Sequence, residues 1–172
     1  MTRFRTLLVL AIALALQVSV FAQLRPFGIA PNLLLVAALV GGLAGGGDYG
    51  ARNGFVAGLL LDLVVPGPLG LAAGIYGTFA YLMGQVSTMV DPDDPRVMPA
   101  LIWFMAFIAT GAYGLGLGVL GSEQFVAWRL VGVSAVVGLY SVVLSLGFRA
   151  VYRWVLADPN GARTEAPRAV VN

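Results

Sequence analysis

The chain has no cysteine, no histidine and no lysine; every one of its 10 basic side chains is an arginine. These absences exclude disulfides, thiol nucleophiles, haem attachment, Cys/His zinc sites and imidazole acid–base chemistry together. Charge is scarce as well. Only 10 % of the residues are charged, against about 25 % in an ordinary soluble domain. A soluble surface of any extent could not be kept wet, so no separate soluble domain is expected. The net charge of +2 comes from arginines scattered beside apolar runs. Nucleic-acid binding, which needs a clustered basic patch, has no support. No metal or cofactor is expected either.

What is present in quantity is apolar: 59 % of the residues are hydrophobic and the mean hydropathy is +0.90. A helix crosses the hydrocarbon core with about 20 apolar residues. Runs of that kind cover residues 7–24, 32–47, 53–65, 69–89, 100–120 and 125–148. The expected fold is an all-α membrane protein, a compact bundle of about six transmembrane helices over residues 1–155. The connectors carry turn signals, Pro66-Gly67-Pro68 above all, and proline cannot continue a helix there. Residues 156–172 are polar with two prolines, and read as a disordered cytoplasmic tail.

Arginine placement orients the bundle. With six spans and the amino terminus inside, Arg3, Arg5, Arg52, Arg96, Arg149, Arg153, Arg163 and Arg168 are cytoplasmic, while Arg25 and Arg129 lie outside. That asymmetry follows the positive-inside rule, and an odd number of spans would invert it at the tail. A rival reading makes the first run a cleavable signal peptide ending at Val20-Phe21-Ala22. The apolar run is long for such a core, and cleavage would leave the remaining topology unchanged.

Lipid tails are as apolar as leucine, so helices in a bilayer associate through close packing of small residues. The 23 glycines are nearly twice the roughly 7 % average usage. Pairs at four-residue spacing recur: Gly41 and Gly45, Gly54 and Gly58, Gly70 and Gly74, Gly114 and Gly118. Asp62 is the only acid well inside a hydrophobic run, and it continues the Gly54, Gly58 spacing onto the same helix face. An intramembrane carboxylate is a functional candidate by default. The alternative is structural: capping of the Pro-Gly-Pro turn, or a bond to a neighbouring helix. A lone carboxylate without a second acid, base or metal is poor catalytic equipment, so no enzyme is expected. On the structural reading Asp62→Asn should be well tolerated.

The ordered set Pro31-Asn32-Leu33-Leu34-Leu35, Gly54-Phe55-x-x-Gly58-x-x-x-Asp62-Leu63 and Leu69-Gly70 resembles the MreD family. MreD is the small multi-spanning membrane component of the bacterial rod-shape system, the elongasome. The resemblance implies a non-catalytic scaffold of the cytoplasmic membrane that directs lateral peptidoglycan synthesis. It would bind MreC, a single-span coiled-coil protein, through its membrane helices. It would work with the MreB filament system, RodA and a class B penicillin-binding protein. Asn32, Gly54, Phe55, Gly58, Asp62 and Gly70 are the family-motif residues, expected to serve helix packing or partner contact. The connector between the fifth and sixth runs, 121–124, is very short, so contacts should run through membrane faces.

Two other readings belong to different classes. The substrate-binding component of an energy-coupling-factor vitamin transporter is also a small six-helix protein, and Ala11 with Ala15 is the kind of contact it uses toward its coupling partner. Such a protein needs convergent polar and aromatic groups; Gln17, Gln23, Arg25, Trp103, Tyr113, Glu123 and Trp128 are the candidates here. An ion or proton pathway through Asp62 would need a chain of polar groups across the bundle.

Overall fold

The computed structural model describes residues 2–19, 29–90, 96–120 and 127–157. Among these there are six helices and no strand: α1 (Thr2–Ser19), α2 (Leu33–Gly45), α3 (Gly47–Val64), α4 (Leu71–Val86), α5 (Val97–Val119) and α6 (Ala127–Leu156). The chain is all-α. The Val20-Phe21-Ala22 segment and the 121–124 connector lie outside the described residues, as does the tail from residue 158 onward.

Two helices are long and apolar enough to cross a bilayer by length and composition alone: α5, and α6 over Arg129–Leu156. The other four are shorter or more charged. At 13 residues and 1.5 Å per residue, α2 covers about 20 Å of a core about 30 Å thick. α3 carries Asp48, Arg52 and Asp62 within its 18 residues.

Helix ends depart from the hydrophobic runs where backbone geometry, rather than hydropathy, decides. The glycine cluster at residues 45–47 breaks the helix at Gly46 alone, with φ of +81°, a conformation glycine adopts freely. α3 then begins at Gly47, ahead of the expected residue 53, and folds back along α2. Gly50 sits so close that a Cβ there would lie 2.7 Å from Gly42 Cα. At the far end α6 continues past residue 148 through Arg149 and Arg153 to Leu156.

The bundle is arranged around α2, which packs against each of the other five helices. Every residue from Leu33 to Gly42 is buried, as expected of a helix that is hydrophobic all round. The surrounding helices turn apolar side chains outward: Phe4, Leu8 and Ile12 on α1, Leu59 and Leu63 on α3, Phe104 on α5, Val143 and Leu146 on α6. The polar side chains that are buried lie inside, among them Asn53, Asp62, Ser134, Ser141 and Ser145. An outer surface this apolar around an apolar core that holds a few polar side chains is unlike that of a soluble bundle.

α5 and α6 form their own pair. The Trp103 indole N–H donates to the Ala135 carbonyl at 3.2 Å, over Gly138, where a Cβ would come within 2.9 Å of the ring. Ser141 and Ser145 donate back to Val137 and Val142 on their own helix. At the amino-terminal end, Arg5 donates to the carbonyls of Trp154 and Ala157 and lies 4.8 Å from the Trp154 ring centroid. A cation there meets the unpaired carbonyls and negative end of α6.

Candidate functional site

The first four amides of a helix have no partner within it. In α4 each of them is accounted for. The N-cap is Gly70, which has no side chain to close the helix, and Asp62 supplies the missing acceptors from α3. Its Oδ2 accepts the amides of Gly70 at 2.9 Å and Ala73 at 3.2 Å, and its Oδ1 accepts that of Ala72 at 3.2 Å. The Leu71 amide donates to Pro68 O at 3.3 Å, and from Gly74, whose amide reaches Gly70 O at 2.9 Å, the ladder runs on its own. A carboxylate at a helix N-terminus is also favoured by the macrodipole. Gly70 has φ of +95° with open space at its Cβ position. Glycine is required there for backbone conformation, not for room.

Asp62 reaches α4 because the two helices touch backbone to backbone. A Cβ at Gly58 would lie 2.3 Å from Ala72 O, at Gly54 2.3 Å from Tyr76 O, at Gly50 2.4 Å from Ala80 O, and at Gly84 2.4 Å from Gly46 C. No side chain fits at any of these crossings without moving a backbone. Gly50, Gly54, Gly58 and Asp62 therefore form one continuous face of α3, with the carboxylate at its end.

Asn32 closes α2 in a similar way at the same end of the bundle. Its Oδ1 accepts the Leu35 amide at 3.0 Å, the N-cap arrangement. Its Nδ2 donates to the hydroxyl of Tyr76, buried on α4 one turn beyond Ala72. Gln17 of α1 accepts the Leu34 amide at 3.2 Å. Two helix starts are thus capped by neighbours, and α1, α2, α3 and α4 are tied together where Asp62 and Asn32 stand.

Phe55 is not part of this cluster. It is 52 % exposed and flanks a shallow groove between α3 and α4, where Gly77 approaches its backbone. Of the residues considered for a vitamin site, Gln17 and Trp103 are engaged in joining helices, Tyr113 is half-buried beside Gly67, and the Gln23, Arg25, Glu123 and Trp128 side chains lie outside the described residues. Among the described residues no three of His, Cys, Asp and Glu converge as metal ligands.

A second polar cluster, at the opposite end, joins residues that no sequence motif links. Asn53, buried on α3, donates through Nδ2 to Ala37 O at 3.0 Å on α2 and to the Tyr152 hydroxyl at 2.8 Å on α6. Gly41 makes room for that amide, since a Cβ there would lie 2.1 Å from Asn53 Nδ2. The Tyr152 ring meets Tyr49 edge-on at 6.5 Å, and the Tyr49 hydroxyl pairs with Thr6 at 2.7 Å on α1. The available signal was a single carboxamide beside Arg52 in an otherwise apolar run; its partners, far along the chain, gave none.

A family model described as rod shape-determining protein MreD matches residues 1–154, which is the whole helical bundle to within a few residues. The chain belongs to the MreD family. Its role accordingly falls within rod-shape determination, and the apolar helices fit the membrane character of that family. No curated protein and no solved structure matches the chain. Asn32, Gly54, Phe55, Gly58, Asp62 and Gly70 all fall inside the matched region.

Proposed function

We propose that this MreD-family chain is a multi-pass protein of the bacterial cytoplasmic membrane, with six spans and both ends inside. It acts as a non-catalytic scaffold of the elongasome, binding the single-span MreC through its membrane helices. Through that contact it works with MreB filaments, RodA and a class B penicillin-binding protein in lateral peptidoglycan synthesis. The single observation that carries the scaffold reading is the engagement of Asp62. The one acid deep in an apolar run has both oxygens occupied by α4 amides, which suits a fixed helix contact rather than a proton relay. The outward apolar side chains around α2 support embedding of all six helices, including those too short to cross unaided. Tilt and local thinning of the bilayer accommodate short helices at modest cost. The test is complementation: in a rod-shaped bacterium depleted of its own MreD, this chain should restore rods, and persistent spheres at normal membrane abundance would contradict the proposal.

A further inference from the structure

A groove of about 570 Å³ opens between α1 and α3 at the end of the bundle that holds the amino terminus. That size lies within the range of small-ligand sites. Leu7, Leu10 and Val56 supply its apolar lining, and Arg52, Tyr49, Thr6 and Asn53 its polar lining. Arg52 is exposed and makes no hydrogen bond or ion pair among the described residues. Arg5, by contrast, is engaged with the end of α6. Asn53 is 3 % exposed, and its Oδ1 has no donor among the described residues, although its Nδ2 is fully used.

We propose that this groove binds one anionic glycerophospholipid. The phosphate sits on the Arg52 guanidinium, whose planar fork matches phosphate oxygens, and an acyl chain lies along Leu7, Leu10 and Val56. Asn53 Oδ1 is closed off from the groove and takes no part in holding the lipid. Charge complementarity selects this occupant. An arginine near a helix end extends toward the headgroup level, and basic pockets between membrane helices on the cytoplasmic side favour anionic headgroups. A helix from a protein partner would leave Arg52 unpaired unless it carried an acid opposite it. A lipid brings its own anion at the right level. The site lies away from the Asp62 cluster; the proposal rests on the membrane placement given above, but not on which protein the chain binds.

The full chain is purified in detergent and exposed to equal amounts of phosphatidylglycerol and phosphatidylcholine with matched acyl chains. Retained lipid is counted by native mass spectrometry, and the melting midpoint is measured with each lipid. The wild type should retain phosphatidylglycerol about tenfold over phosphatidylcholine, as a charge-assisted contact supports, and melt higher with it. Arg52→Gln should bring that preference near unity and abolish the melting shift, while Arg52→Lys keeps part of both. Arg153→Gln removes an exposed charge at the same end away from the groove and should change neither. Leu7→Trp, which fills the groove from its exposed rim, should lower retention of both lipids. Equal retention of the two lipids by the wild type, or equal losses in Arg52→Gln and Arg153→Gln, would overturn the proposal.

Discussion

Asp62 accepts the amide of Gly70 at 2.9 Å across the Pro66-Gly67-Pro68 turn, so the last turn of α3 closes the first turn of α4. Three amide donors face that carboxylate, which sets the consequences of substitution. From the sequence alone Asn was expected to serve nearly as well as Asp. An Asn side chain offers one acceptor oxygen, and its NH2 group must then face an amide N–H. Asp62→Asn should therefore lose about 1–2 kcal/mol, and Asp62→Leu more, because all three amides are left without acceptors. Thermal unfolding in detergent checks the order: wild type above Asn, and Asn above Leu. If Asn and Leu fall together, the charge itself matters, and if Asn equals wild type, the three bonds are not what stabilises the joint.

Glycines of the same helical pair should respond oppositely to one methyl group. Gly58→Ala would place Cβ 2.3 Å from Ala72 O, forcing the α3 and α4 backbones apart, whereas Gly74 has nothing within 4 Å of that position. Gly58→Ala should cost about 1–3 kcal/mol, and Gly74→Ala should be neutral or slightly stabilising, since alanine favours helix. Equal melting points for the two variants would mean that the helices do not touch as described.

Gly70 tests conformation without crowding. Its Cβ position is open, but φ is +95°, so Gly70→Ala should cost about 1–2 kcal/mol through backbone strain alone. An unchanged melting midpoint would show that α4 does not start in the left-handed conformation.

Tyr152 probes the opposite end. Tyr152→Phe keeps the ring that meets Tyr49 but removes the hydroxyl that accepts from Asn53. The loss should be about 1–2 kcal/mol, the cost of an unsatisfied buried donor, and Asn53→Ala combined with Tyr152→Phe should cost less than the sum of the two. Additivity of the two would deny the contact.

The sequence carried the helical class, the start of α2 and the face shared by Gly54, Gly58 and Asp62, because hydrophobic runs and four-residue spacing are local signals. The partner of that face was not legible, since small residues announce close approach without naming the neighbour. The start of α3 was hidden for a related reason. Three consecutive glycines followed by Asp48 and Arg52 read as a connector, yet only Gly46 leaves helical geometry. The bonds Asn32 to Tyr76 and Asn53 to Tyr152 span 44 and 99 positions, and no local pattern encodes such pairings. Phe55 lies a third of a turn from Gly54, which places it off the packed face, but its groove exists only once α4 is set beside α3.

Topology can be read with single cysteines, because the chain has none of its own. With six spans, Gly67→Cys should react with an impermeant maleimide from outside, and Ala157→Cys only after the membrane is opened. Labelling of Ala157→Cys in intact cells would remove the both-ends-inside arrangement.

The scaffold proposal is tested most directly by purifying the chain from native membranes in a mild detergent and quantifying copurifying proteins by mass spectrometry. MreC should be recovered at a level comparable to the chain, and Asp62→Leu or Gly58→Leu, which disturb the α3 and α4 packing, should reduce it. Recovery of an ATPase module or a bound vitamin, with MreC no higher than in a mock purification, would contradict the scaffold account.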